Sequence, residues 1–158
     1  MIWGFDSKKE TLLLPERQNQ HDYFRTIMTT VLGQALHAAG YTLVEQPYKW
    51  LAGHYQWRKS PDQGAVVIAF QLLAYTDTSH APSTPSHFRI SLTRPAPPST
   101  RTLSALVVED FGVAILPSAD HWWTFRNTTE LGQTLTEAGY LLIGYGLPWL
   151  AGETPPQT

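Results

Sequence analysis

Cysteine is absent from this 158-residue chain, which excludes disulfides, thiolate nucleophiles and cysteine-ligated zinc. Charge is scarce as well. Asp, Glu, Lys and Arg make up 15% of the residues, and a net charge of -2 leaves no electrostatic footprint for a nucleic-acid backbone. The longest apolar run is about a strand's length, far short of the ~20 residues that span a bilayer. The opening MIWGFDSKKETLLLPERQ lacks the basic region, apolar run and cleavage site of a secretory signal. A cytoplasmic protein that contacts neither nucleic acid nor membrane is the expectation.

Reaction signatures are missing too. There is no GxSxG elbow, no phosphate-cradling glycine loop and no dinucleotide fingerprint. Six His are present, and no two fall at a metal-binding spacing such as HxxxH. No cofactor, no metal site and no catalytic residue is therefore assigned.

What the chain does hold is a central apolar stretch. Gly64 to Tyr75, GAVVIAFQLLAY, carries the β-branched Val66, Val67 and Ile68 and reads as a strand covered on both faces. Before it, Phe24, Ile27, Met28, Val31, Leu32, Ala35, Leu36 and Ala39 recur at helical spacing, with Asp22 as N-cap and Gly40 just past the end. Tyr41 to Glu45 predicts a strand. In the run Trp50 to Arg58, Tyr55 and Trp57 alternate with His54, Gln56 and Arg58.

Beyond the central strand, Asp77 to Ser86 reads as a loop. In His87 to Arg94, Phe88, Ile90 and Leu92 alternate with Arg89, Ser91 and Thr93, the mark of a strand wet on one side. The Pro/Ser/Thr run from Pro95 to Thr102 reads as a second loop. Leu103 to Val108 and Val113 to Leu116 predict a hairpin turning at Asp110 to Gly112. Asn127 with Glu130 makes a capping-box start for a helix continued by Leu131, Leu135, Ala138, Leu142 and Tyr145.

These elements predict an α+β fold: a single, mostly antiparallel sheet of about five to six strands with an N-terminal and a C-terminal helix packed against it. Residues 1–20 form an arm, 21–152 a single domain, and 153–158 a disordered tail. A repeat complicates the last helix. Leu32 to Gly53 and Leu131 to Gly152 share LGQ, AGY and WLAG without gaps, and if the copies are alike, 140–145 is a strand as 41–45 is.

Aromatics are the most suggestive side chains. Trp50, Trp57, Trp122, Trp123 and Trp149 fall near element ends, and Trp122 and Trp123, being adjacent on an extended segment, must face opposite sides. Candidate binding residues are Trp57, Trp122, Trp123, Trp149, Tyr55 and His121. Candidate acid/base residues, should the chain be an enzyme, are His54, Asp120 and His121.

In layout the chain resembles a family of uncharacterised bacterial proteins, a domain of unknown function with an α+β fold. The resemblance rests on the Gly40–Tyr41 step, the aromatic strand Tyr55 to Trp57, and the strands Val66 to Phe70 and Phe88 to Leu92. It continues with Trp122–Trp123 and the closing Leu147, Pro148, Trp149 and Leu150. It covers most of the chain from Tyr23 onward, with a proline-rich departure at Pro95 to Pro98, and implies no catalytic residue.

The expected function is a small binding or interaction protein with an aromatic-lined surface, by analogy an immunity-type protein that blocks a toxin. Its partner would be a protein or a small-molecule ligand, and the chain a monomer or homodimer. The alternative is a small hydrolase or transferase with a composite His/Asp site. A binder predicts an aromatic groove, an enzyme a concave site with a perturbed titratable pair.

Overall fold

In the computed structural model, residues 16–61, 64–74 and 85–153 are described. Helix α1 (Glu16–Ala38) places Phe24, Met28, Leu32 and Leu36 on one buried stripe. It starts six residues before the expected cap, so Asp22 lies inside it and part of the expected arm is helical. Its end is a Schellman closure around Gly40 (φ +95°): Gly40 N donates to His37 O at 2.9 Å and Tyr41 N to Leu36 O at 2.9 Å.

The chain then builds β1 (Thr42–Leu43), a one-turn helix α2 (Pro47–Leu51), β2 (His54–Lys59), β3 (Val66–Leu73), β4 (Ser86–Pro95) and β5 (Pro98–Thr102). These strands run antiparallel in the order β1-β2-β3-β4-β5, so β3 is central as expected. Helix α2 was not foreseen: Pro47 interrupts a strand, yet at the first turn of a helix its missing N–H costs nothing.

Registers such as Trp57 with Ile68, and Phe70 with Ile90, align one set of side chains into a single face. Tyr55, Trp57, Val66, Ile68, Phe70, Leu72, Phe88, Ile90 and Leu92 on that face are buried. The other face corrects the reading of β3 as doubly covered. Val67, Ala69 and Gln71 are half-buried, and neither Val67 nor Ala69 belongs to the core.

Two further corrections follow β4. Residues 98–102 are an edge strand rather than a loop, and Pro98 sits at its first position, where a sheet tolerates a missing donor. Residues 103–110 are helical rather than one arm of a hairpin: α3 (Leu103–Ala105) continues as a π-helical turn (Leu106–Asp110). Leu103, Leu106 and Val107 are buried at helical spacing. The Thr102 hydroxyl caps the start by accepting from Ala105 N at 3.2 Å. Arg101 clamps the far end, with Nε on Asp110 Oδ2 and Nη2 on Asp110 Oδ1, both at 2.9 Å, and Nη2 also 2.9 Å from Glu109.

Strand β6 (Trp123–Phe125) pairs with the first half of β4, on the edge whose second half β5 occupies. Helix α4 (Thr128–Leu141) opens as foreseen. Asn127 Oδ1 accepts from Glu130 N at 2.9 Å, while Glu130 reaches back to Arg126 N at 2.9 Å. The helical path runs on through a π turn (Leu142–Gly146) into α5 (Leu147–Leu150).

Residues 140–145 are therefore helical, and the repeat is only partly structural. Gly40 ends α1, whereas the matching Gly139 lies inside α4 against Leu32. The WLAG copies do agree, each closing a short helix at a left-handed glycine, Gly53 (φ +82°) and Gly152 (φ +100°). Helices α1 and α4 pack side by side on the buried sheet face, giving the α+β architecture expected. The expected loop at 77–84 and the tail at 154–158 lie outside the described residues.

Candidate functional site

The half-exposed sheet face is the best candidate. Strand pairing sets His54 beside Gln71, Gln71 beside Arg89, and Gln56 beside Ala69 and Ser91. Arg58 and Val67 continue the face toward Thr93, whose hydroxyl meets that of Thr100 at 3.0 Å. The strand positions on this face carry Arg58, Arg89, His54 and His87 and no Asp or Glu. Among these described strand positions the charge is thus of one sign.

Arg89 is its organising residue. Nε donates to Gln71 Oε1 at 3.1 Å, and the guanidinium lies 4.7 Å from the ring centre of Trp122. Edge-on contact with His87, ring centres 5.0 Å apart, fixes the same indole from a second side. With one edge on a glutamine and one plane on an indole, the guanidinium is pre-ordered and its Nη1 and Nη2 have no partner among the described residues.

Two things put Trp122 there. Its neighbour Trp123 is buried and stacks on Phe88, ring centres 5.6 Å apart and 20° between planes, while β6 pairs Trp123 with Phe88. The buried Ser104 then holds the preceding loop, donating to Ala119 O at 2.8 Å and accepting from His121 N at 3.2 Å. Alternation along the extended chain turns Trp122 to the face opposite Trp123.

The other candidate residues do not join this face. Trp57, Tyr55, Trp123 and Trp149 are all at most 3% exposed and belong to the core, so the groove expected from them is not formed. Tyr55 is held from its hydroxyl, which donates to His21 O at 3.0 Å. Trp149 lies under Arg94, 4.2 Å from the guanidinium, near the far end of β4. His121 packs edge-on against Trp123 at 4.8 Å, on the core side.

That placement also separates two of the acid/base candidates, His54 and His121. His54 lies on the half-exposed face of β2, and His121 on the other side, about 14 Å across at three strand spacings. Burial pushes the His121 pKa down, opposed by the charge of Glu137. Among the described residues no group of three or more His, Asp or Glu could hold a metal ion. None of their helices is long and apolar enough to cross a membrane.

The alternation of Arg89, Ser91 and Thr93 already marked a wet side of β4. Nothing in the sequence showed that Trp122 would come to rest on it, because that depends on which strand β6 joins. No family model, curated protein or solved structure matches the chain.

Proposed function

We propose that the chain is a small binding protein that uses the Arg89–Trp122 sheet face to hold an acidic surface of a partner protein. The pre-ordered guanidinium carries this reading: Arg89 is braced by Gln71 and Trp122, on a face whose described strand positions hold Arg and His and no Asp or Glu. An arginine already fixed in place loses little side-chain entropy on meeting a carboxylate. Trp122 adds a rigid aromatic anchor beside it, a pairing enriched at interface hot spots. In the narrower, immunity-type version, the partner is a toxin that this face covers.

The test is titration of the labelled protein with a short oligoglutamate peptide, followed by amide chemical shifts. Shifts should gather on Gln71, Arg89, Ser91 and Trp122, and Arg89→Gln or Trp122→Ala should weaken binding roughly tenfold. Raising the salt should weaken it further. Shifts elsewhere, or equal binding by a folded Arg89→Gln protein, would remove the reading.

A further inference from the structure

On the opposite side of the sheet lies a cleft of about 680 Å³, where the C-terminal ends of α1 and α5 meet the ends of β2 and β4. Its walls include the apolar Val66, Ile143, Leu147 and Leu150. Two cations, Lys59 and Arg94, also line it, and among the described residues no Asp or Glu does.

Each cation is held by a helix end. Lys59 Nζ donates to Ala39 O at 3.0 Å and lies 5.6 Å from the Tyr41 ring centre. Arg94 Nη1 donates to Trp149 O at 3.1 Å, with its Cζ over the Trp149 ring. One of three ammonium donors and one of five guanidinium donors are used in these bonds. Arg94 Nε is buried and has no hydrogen-bond partner among the described residues.

The charges can be summed. Two full positive charges face two helix C-terminal poles of roughly -0.5 each, leaving about +1. That balance suits a monoanion better than a doubly charged phosphate, and the apolar walls suit a hydrocarbon body.

We infer that this cleft binds a small organic carboxylate, its charged end toward Lys59 and Arg94 and its apolar tail along Ile143, Leu147 and Leu150. The site is separate from the Arg89 face, since Lys59 and Arg94 project from the helix-covered side of their strands. It therefore stands or falls independently of the acidic-partner reading.

Octanoate and octanol, which share a chain and differ in charge, are the probes. Each is titrated into the full chain while amide shifts are followed, with Lys59→Met and Lys59→Arg compared after their melting temperatures confirm folding. The expected result is saturable octanoate binding with shifts at Ile143, Leu147 and Leu150. Octanol and the Lys59→Met protein should each bind roughly tenfold more weakly, and Lys59→Arg should restore affinity. Equal binding of octanol and octanoate would overturn the inference, as would shifts confined to the Arg89 face or no shift up to ~10 mM ligand.

Discussion

Leu32 and Gly139 meet where α1 crosses α4, and the contact leaves no room for a side chain on the glycine. A methyl group built on Gly139 would lie 2.5 Å from Leu32 Cδ2, inside any normal contact distance. This close approach keeps Gly139 inside a helix, whereas its counterpart Gly40 ends one.

Gly139→Ala is therefore expected to destabilise the protein by ~1–3 kcal/mol through overpacking. Gly132 lies in the same helix, and a methyl group there would meet nothing within 4 Å. Gly132→Ala should stabilise by up to ~1 kcal/mol from propensity alone. Denaturant midpoints of the two variants, moving in opposite directions, check the pair.

The two WLAG glycines should differ in the same way. Both adopt left-handed backbone, but a methyl group on Gly53 would run into the Leu72 carbonyl, while Gly152 has open space. Gly53 is pinned there because its own carbonyl accepts from Leu72 N at 2.7 Å. Gly53→Ala should cost about 3 kcal/mol or more, and Gly152→Ala only about 1. Thermal unfolding of both proteins measures the difference.

Adjacent tryptophans should give unequal results. Trp123→Ala removes a buried ring stacked on Phe88 and should cost ~3–5 kcal/mol. Trp122→Ala removes a half-buried ring from the sheet surface, together with one cation–π contact, and should cost about 1 kcal/mol. Urea unfolding monitored by far-ultraviolet circular dichroism separates the two without relying on tryptophan emission.

Alkaline conditions should destabilise the fold through its buried phenols. Burial pushes Tyr41 up to about 12 from the ordinary 10.0. Tyr55 is raised too, by burial first and then by the charge of Asp22, with Arg25 opposing. With folded pKa values above the unfolded one, this stability is complete below pH 10.0 and is lost as the pH rises toward 12. Tyr41→Phe and Tyr55→Phe should flatten that loss, read as denaturant midpoints across the alkaline range.

His121 should act at the acid side. Its folded pKa is lowered from 6.5, so the unfolded chain takes up the proton first and stability falls as pH drops through that value. His121→Gln should show a shallower fall. Equal pH slopes in the two proteins would mean that another group carries the effect.

Local order was legible in the residues. The stripe from Phe24 to Leu36 fixed a helix, Asn127 with Glu130 fixed the start of another, and the alternations around Tyr55 and Phe88 named which side chains each strand buries. Such patterns are readable because they depend on neighbours a few positions away and on a period set by backbone geometry. The reading failed at Leu103 to Val108, where a short apolar run suggested a strand and a Thr102 cap with an Arg101 clamp made a helix.

The candidate site was decided by long-range pairing. That Trp122 lies on Arg89 depends on β6 joining β4, and on Ser104 holding the loop before it. That Trp57, Trp123 and Trp149 are interior depends on helices laid across one sheet face and not the other. Composition shows that a chain is rich in indoles, but whether an indole is core or contact surface is settled only when distant segments close over it, because burial is a property of the packed whole.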